Sequence, residues 1–245
     1  MPQQPLPPAI LPSAPLIGSF FDRCHDLCLK LNRLLGVGLA VDPPSFFETA
    51  HLRSGGASGT TLRFLYYPPA PAGAAAGPSD VRAGAHSDYG SLTLLFRLRG
   101  QAGLEIRTRS GGWAPVPVAP PGTEAHAAPP ILVNIGDLLS YWTDGLLRST
   151  VHRVVFPGAG GGATAPGETD AGPRYSVAFF CHPVGTCALT PVPSERVARH
   201  AAPDDAAGPR NPYAERKVLT ADEHLQMRLR ASYLQLYNDG DGEKS

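Results

Sequence analysis

The pattern of apolar positions predicts a long helix near each end of the chain. Over residues 20–35, apolar side chains recur every three or four positions, which is typical of an amphipathic helix of about five turns. Gly36 and Gly38 are expected to end this helix. Near the C-terminus, Thr220 and Glu223 have the spacing of a capping box, and a second helical pattern follows. Its apolar face comprises Leu225, Leu229, Tyr233, Leu236 and Tyr237.

The region between the two helices has a β pattern. Several short segments are rich in β-branched and aromatic residues and are bounded by turn residues, which is typical of strands. They cover residues 62–67, 91–96, 104–108, 131–135, 151–156 and 175–182. No helical pattern alternates with them, so we expect a sandwich or barrel. Two stretches rich in Gly, Ala and Pro, 68–84 and 158–173, are interpreted as flexible surface insertions.

Composition and charge narrow the classes of function. The 245 residues suffice for one domain with a sizeable core, and 42% of them are hydrophobic. The formal net charge is zero, which argues against nucleic-acid and anionic-membrane partners. No apolar run reaches the roughly 18 residues that would indicate a transmembrane helix. The N-terminus also lacks the basic start and apolar stretch of a secretory signal.

The cysteine content does not suggest a disulfide framework, because the chain has only four cysteines. Cys24 and Cys28 lie four residues apart on the apolar face of the first predicted helix, so we interpret them as buried free thiols. A structural zinc site that also includes Cys181 and Cys187 is the alternative, although neither pair has the tight spacing of such sites. Free thiols favour a reducing, cytoplasmic location.

Three polar residues in the β region are candidates for a metal site. His86 and Asp88 are two apart, so on a regular strand both side chains point to one face. His152 lies inside a second apolar segment. Two imidazoles and one carboxylate form the facial triad that binds Fe(II) and leaves other metal positions open. Taken singly, the first pair also fits a polar turn, and His152 also fits a satisfied core histidine.

Arg174 and Ser176 form a second candidate group, because they are two apart and share a strand face. The planar guanidinium donates two parallel hydrogen bonds, which suits the recognition of a buried carboxylate. An exposed arginine on an edge strand is the alternative. The pair lies one short strand beyond His152. An arginine and a hydroxyl at this position could hold the far carboxylate of a co-substrate that chelates the metal.

Residues 62–183 resemble the isopenicillin N synthase-like branch of the Fe(II)- and 2-oxoglutarate-dependent oxygenases. The matching segments, in family order, are LRFLYYPPAP, AGAHSDYGSLTLLF, GLEIRTRSGGWAPV, ILVNIGDLLSYWTDGLLRSTVHRVVFP and RYSVAFFCHP. The resemblance implies a mainly β fold with flanking helices around a double-stranded β-helix core of the jelly-roll, cupin-like type. It also implies an N-terminal helical segment over 1–60, the oxygenase domain over 61–190, and a C-terminal loop and helix over 191–245.

The resemblance assigns a role to each candidate residue. The implied iron ligands are His86, Asp88 and His152. The implied contacts to 2-oxoglutarate are Arg174, Ser176 and Tyr67. Phe180 matches a position that lines the substrate pocket in relatives, with plain core packing as the alternative. Leu65 departs from the family, because relatives often have asparagine there.

The implied activity is oxidation of a C–H bond in a small, secondary-metabolite-type molecule by hydroxylation, desaturation or cyclisation, with release of succinate and CO2. Fe(II) and 2-oxoglutarate are the implied cofactor and co-substrate, dioxygen is consumed, and ascorbate is a possible reductant. This chemistry requires no side-chain general base. We therefore interpret four further polar residues as structural or surface groups: Asp137, Asp144, His126 and His182.

Two alternatives to this activity remain open at the level of sequence. The first is an iron oxidase of the same family that does not use 2-oxoglutarate. The second is a non-catalytic remnant, because most of the N-terminal module of the relatives is missing from this sequence. Only residues 7–47 resemble part of that module, namely the helix that crosses the back of the barrel.

Overall fold

The fold is known from a computed structural model that describes residues 6–69, 81–155, 173–201 and 217–240, with residues 201 and 233–240 as backbone only. The α-helices are α1 (Ala14–Gly38), α2 (Phe46–Ala50), α3 (Asp137–Trp142), α4 (Glu195–Ala201) and α5 (Ala221–Gly240). The strands are β1 (Thr61–Tyr67), β2 (Val81–His86), β3 (Leu92–Arg97), β4 (Leu104–Arg107), β5 (Trp113–Pro115), β6 (Leu132–Ile135), β7 (His152–Val155) and β8 (Arg174–Cys181). Pro8–Ser13 and Arg53–Gly55 form short 3-10 helices.

The strands form two antiparallel four-stranded sheets. One has the order β1-β8-β3-β6 and the other β2-β7-β4-β5. Side chains from both sheets line a common cavity, so the sheets are stacked face to face with the cavity between them. This arrangement confirms the predicted mainly β, jelly-roll fold with flanking helices.

Helix α1 covers the outer face of the first sheet. Phe20 and Phe21 pack edge-on against Phe96 of β3 and Phe179 of β8, with ring centroids 4.9 and 5.1 Å apart. Side chains alternate along β8, so Phe179 points into this helix–sheet core while its neighbour Phe180 points into the cavity. The hydrophobic core therefore lies behind the sheet, and the space between the sheets is left open for a ligand.

The first predicted helix is confirmed together with its end at Gly38, but it begins earlier than the apolar pattern indicated. It begins at Ala14 and continues through Gly36 to Gly38. Gly36 lies inside the helix. A side chain there would collide with the backbone, because an added Cβ would lie 2.0 Å from the Pro44 carbonyl oxygen. The residue is glycine because the returning chain passes directly over the helix. Cys24 and Cys28 are buried free thiols, as predicted.

The C-terminal helix has the predicted capping box. The Thr220 backbone N–H donates to Glu223 Oε2 at 2.7 Å, and the Glu223 N–H donates back to Thr220 Oγ1 at 3.2 Å. The predicted apolar contacts of Tyr233, Leu236 and Tyr237 fall outside the described side chains. Among the described residues, the helices are either too short or too polar to cross a lipid bilayer.

The predicted strands are all present with small shifts at their ends, but β2 and β5 were not predicted. Strand β2 contradicts the interpretation of 68–84 as an insertion, because its first residues fall within that range. Its sequence is rich in small residues, so it lacks the local signature of a strand, and pairing with β7 across two register shifts defines it instead. Residues 70–80 of this stretch lie outside the described residues. The same holds for residue 156 of the predicted strand and for residues 158–172 of the second predicted insertion.

Candidate metal centre and its two cavities

The pairing of β2 with β7 brings two histidines together. His86 ends β2 and His152 begins β7, and the two residues are direct partners in the antiparallel register. Directly opposed residues on one sheet face lie close enough for their side chains to touch. The two imidazole rings are accordingly 4.4 Å apart between centroids.

Backbone carbonyls orient both rings. The Nδ1 atom of His86 lies 2.7 Å from the Gly84 carbonyl oxygen, and that of His152 lies 3.0 Å from the Thr150 carbonyl oxygen. A carbonyl only accepts hydrogen bonds, so each Nδ1 carries the proton in the neutral ring. Each Nε2 is therefore left with a lone pair, which is the form that ligates a metal.

Asp88 completes the group from the loop after β2. The strand ends at His86, so the two residues do not share one regular strand, and Asp88 reaches the histidines from the loop that follows. Its side chain is buried, and Oδ2 accepts hydrogen bonds from Thr93 Oγ1 at 2.7 Å and from Asn134 Nδ2 at 2.8 Å. Oδ1 faces the Nε2 atom of His152 at 3.7 Å. The two donors thus occupy one carboxylate oxygen and leave the other directed at the histidines.

The donor set fits a divalent iron ion. The ligand atoms of His86, Asp88 and His152 all lie within 4.8 Å of one another, and no other such group occurs in the described parts of the chain. Two neutral nitrogens and one carboxylate oxygen are the ligands of the facial triad, which leaves positions open on the metal. The structure thus brings together the three residues that the sequence singled out as metal ligands.

The inner cavity, of about 90 Å³, extends between the sheets from this group to Arg174. Arg174 is only 2% exposed. Among the described residues its Nε has no hydrogen-bond partner. Ser176 Oγ lies 3.5 Å from one of its terminal nitrogens, and the Tyr67 ring centroid is 5.2 Å from the guanidinium carbon. The structure therefore brings Arg174, Ser176 and Tyr67 together at one end of the cavity.

Positive charge accumulates at this end. Burial lowers the pKa of Arg174, and the nearby Arg97 and Arg82 lower it further, while Tyr67 opposes the shift. Within the described residues, no carboxylate forms an ion pair with Arg174. A buried guanidinium without a counter-ion is unfavourable by itself and favours binding of an anion.

An outer cavity of about 300 Å³ lies on the other side of the histidine–aspartate group. His86 and Asp88 line both cavities, and so does Phe180, the predicted substrate-pocket residue. The outer lining otherwise includes Arg63, His182 and two leucines of α5, Leu225 and Leu229.

The four residues interpreted as structural or surface groups are absent from the donor group. Asp137 accepts a hydrogen bond from Ser87 Oγ and pairs with Arg228 at 2.9 Å, so it ties the Asp88 loop to α5. Burial lowers the pKa of His182 to about 4, which makes it a neutral wall of the outer cavity at pH 7. Asp144 and His126 line neither cavity.

Sequence reasoning missed the two residues that hold Asp88. Thr93 and Asn134 face each other across the β3–β6 pairing, which is why both reach the same oxygen. Each is a polar residue inside an otherwise apolar strand, and that interruption was the available signal. Gly136 supports the same loop: an added Cβ would lie 2.2 Å from the Gly90 carbonyl oxygen, so the two backbones can meet only at a glycine.

Comparisons with known proteins agree with this geometry. Residues 58–183 match the family model of the 2OG-Fe(II) oxygenase superfamily. The 2-oxoglutarate-dependent dioxygenase htyE of Aspergillus rugulosus is 34% identical over 165 residues, covering 67% of this chain and 45% of that protein. Validamycin A dioxygenase of Streptomyces hygroscopicus subsp. limoneus is 40% identical over 113 residues, covering 43% of this chain and 28% of that protein. The chain spans about half the length of the curated relatives it matches first.

Solved structures give the same picture. A full-length Neurospora crassa protein in complex with alpha-KG superimposes with a TM-score of 0.66 at 29% identity, covering 95% of this chain and 61% of that one. A 2OG-Fe(II) oxygenase family protein from Caulobacter crescentus gives a TM-score of 0.67, also at 29% identity, covering 94% and 63%.

Proposed function

Because this chain belongs to the 2OG-Fe(II) oxygenase superfamily, we propose that it oxidises a C–H bond of a small molecule with Fe(II), 2-oxoglutarate and dioxygen. The observation that carries the proposal is the combination inside one cavity of a three-donor group and a buried arginine without a carboxylate partner among the described residues. All of the proposed site residues fall within 61–190, the range predicted for the oxygenase domain.

In this proposal His86, Asp88 and His152 hold the iron. Each histidine presents Nε2 because its Nδ1 is bound to a carbonyl, and Asp88 presents Oδ1 because Oδ2 already has two donors. Bound iron supplies the oxygen activation, in which 2-oxoglutarate is converted to succinate and CO2 while the substrate C–H bond is oxidised. The protein's part is to orient the reactants and exclude water.

Arg174 would bind the distal carboxylate of 2-oxoglutarate, with Ser176 as a second donor and Tyr67 at its side. A charge-assisted contact to a buried guanidinium contributes on the order of 1.5–3 kcal/mol. The extra positive charge from Arg97 and Arg82 adds to the preference for a dianion. An iron oxidase that does not use 2-oxoglutarate would leave Arg174 buried without an anion, so this observation favours the co-substrate over that alternative.

The proposal can be tested without knowing the substrate. Anaerobic titration of the Fe(II)-loaded protein with 2-oxoglutarate should produce the weak visible absorption band of the chelate. Under air, the same mixture should form succinate slowly even in the absence of substrate. A protein that binds Fe(II) but shows neither the band nor succinate at millimolar 2-oxoglutarate would contradict the proposal.

A further inference from the structure

The outer cavity has a cation at one end that the proposed iron and 2-oxoglutarate sites do not use. Arg63 lies on β1, on the same strand face as Thr61, Leu65 and Tyr67. Thr61 and Arg63 line the outer cavity, whereas Leu65 and Tyr67 line the inner one. One strand face therefore serves both cavities, and Arg63 belongs to the outer part.

Arg63 is available to bind an anion. Within the described residues no carboxylate forms an ion pair with it. Its guanidinium carbon lies 5.4 Å from the centroid of the Phe180 ring. This cation–π contact restrains the side chain beside the cavity and does not itself use the N–H donors.

The rest of the described outer lining adds little positive charge and much apolar surface. His182 is neutral at pH 7 because burial lowers its pKa to about 4. Phe180, Leu225 and Leu229 supply the apolar side. Asp88 is anionic, but two hydrogen bonds and the proposed iron already engage its carboxylate.

Arg63 and Arg174 are placed to serve different anions. Tyr67, the direct partner of Arg174 in the β1–β8 pairing, lies four residues after Arg63 on the same strand face. Four strand residues span roughly 13 Å. A five-carbon diacid held at Arg174 and directed towards the His86–Asp88 boundary therefore leaves Arg63 without a ligand.

We propose that the outer cavity binds the substrate as a small carboxylic acid, with its carboxylate on Arg63 and its apolar body along Phe180, Leu225 and Leu229. The body would then extend towards His86 and Asp88, which form the boundary with the inner cavity. This inference rests on the proposed function and adds the chemical class of the substrate.

The test compares acids with neutral molecules of the same shape. Wild-type protein containing Fe(II) and saturating 2-oxoglutarate is titrated anaerobically with phenylacetate or phenylacetamide, and with hexanoate or hexanamide, and binding is measured by calorimetry. At least one acid should bind about tenfold more tightly than its amide, because only the acid gains a charge-assisted contact with Arg63. In Arg63→Gln the preference should fall to within about threefold, the size of a neutral hydrogen-bond difference.

Arg109→Gln is the matched control, because Arg109 is an exposed arginine that lines neither cavity. This variant should keep the full preference for the acid. The inference is overturned if none of the four probes binds, if acid and amide bind equally to the wild type, or if the preference survives in Arg63→Gln. Survival in Arg63→Gln would locate the acid at Arg174 or at the metal. Failure of the proposed function is distinct, because it shows as a missing 2-oxoglutarate band before any acid is added.

Discussion

The inner and outer cavities lie on one face of β1 and β8 and share His86, Asp88 and Phe180, yet they present positive charge differently. In the inner cavity Arg174 is 2% exposed, and its Nε has no partner in the described part of the chain, whereas Arg63 in the outer cavity is exposed to solvent. A buried unpaired cation is costly and so suits one dedicated anion. An exposed cation costs little and selects by charge without fixing the shape of its ligand. This difference agrees with the two proposals, in which the inner cavity binds one constant co-substrate and the outer cavity binds the substrate.

The largest expected effect comes from the boundary that the two cavities share. Asp88→Ala removes the only anionic donor of the group and should abolish Fe(II) binding at micromolar metal, while the fold is retained. Metal content after desalting measures the binding, and circular dichroism measures the fold. The matched control is Asp26→Ala, at an exposed position on α1, which should bind iron normally. Full iron occupancy in Asp88→Ala would mean that the metal site lies elsewhere.

The second prediction concerns the inner cavity alone. Arg174→Lys keeps the charge but loses the two-pronged contact, and Arg174→Ala loses both. Affinity for 2-oxoglutarate should fall in the order wild type, lysine, alanine, with the alanine variant weaker by about 2–4 kcal/mol. Anaerobic titration of the visible band gives these affinities. Iron content should stay unchanged in both variants, and equal 2-oxoglutarate affinities in all three proteins would break the distinction between the cavities.

The third prediction separates the polar residues of the two cavities. Asn134 donates to Asp88 from the inner side, so Asn134→Ala should weaken Fe(II) binding about 10–100-fold, as expected for loss of a hydrogen bond to a metal ligand. Ser87 lines the outer cavity and donates to Asp137 instead. Ser87→Ala is therefore the control and should change iron affinity by less than about threefold. Competition with a coloured chelator measures both, and equal losses would contradict the assigned roles.

The smallest expected effect is a loss of stability at acidic pH caused by His224 on α5, the helix that lines the outer cavity. His224 is buried on α5 beside Leu225, its charged neighbours are Asp137 and Arg228, and burial lowers its pKa to about 4. The unfolded chain takes up this proton near pH 6.5 and the folded chain only near 4, so stability is lost as the pH falls between these values. At pH 5.5 this histidine should lower the free energy of unfolding by about 1–2 kcal/mol relative to pH 7.5.

Urea unfolding at pH 7.5 and 5.5 measures this loss. His224→Leu should lose less stability between the two pH values than the wild type, whatever its stability at pH 7.5. An unchanged loss in the variant would mean that the protonation of His224 does not contribute. Other buried histidines, such as His51, titrate in the same range, so the wild-type loss exceeds the share of His224.

The parts of this protein that were predictable from sequence are those with strong local signals. The capping box at Thr220 and the apolar face of α1 could be predicted because each depends only on residues that are close together in the sequence. The short apolar strands were likewise visible, and the order of His86, Asp88 and His152 within them was enough to suggest the metal group. Strand β2 was missed because its residues are small and its identity as a strand comes from β7, more than sixty residues away in the sequence.

The supporting contacts were harder to predict because they depend on register. Nothing local shows that Thr93 stands opposite Asn134, or that both reach one oxygen of Asp88. Arg63 was missed for a different reason: an arginine in a strand usually faces solvent, and only the cavity around it indicates a ligand. Strand register and the shape of a cavity are properties of the assembled sheets, so they could not be predicted from the local pattern of a single sequence.

The alternation of side chains along β1 also bears on how such a protein can diversify. Positions 61 and 63 face the outer cavity and positions 65 and 67 face the inner one, all on a single short strand. If the outer cavity binds the substrate as proposed, a mutation at the first pair would alter which molecules are accepted and would leave the proposed 2-oxoglutarate site intact. A library randomised at Thr61 and Arg63 would therefore sample new substrates from a scaffold that keeps its reactivity. Selection can act on these two traits one at a time, although their codons are neighbours in the gene.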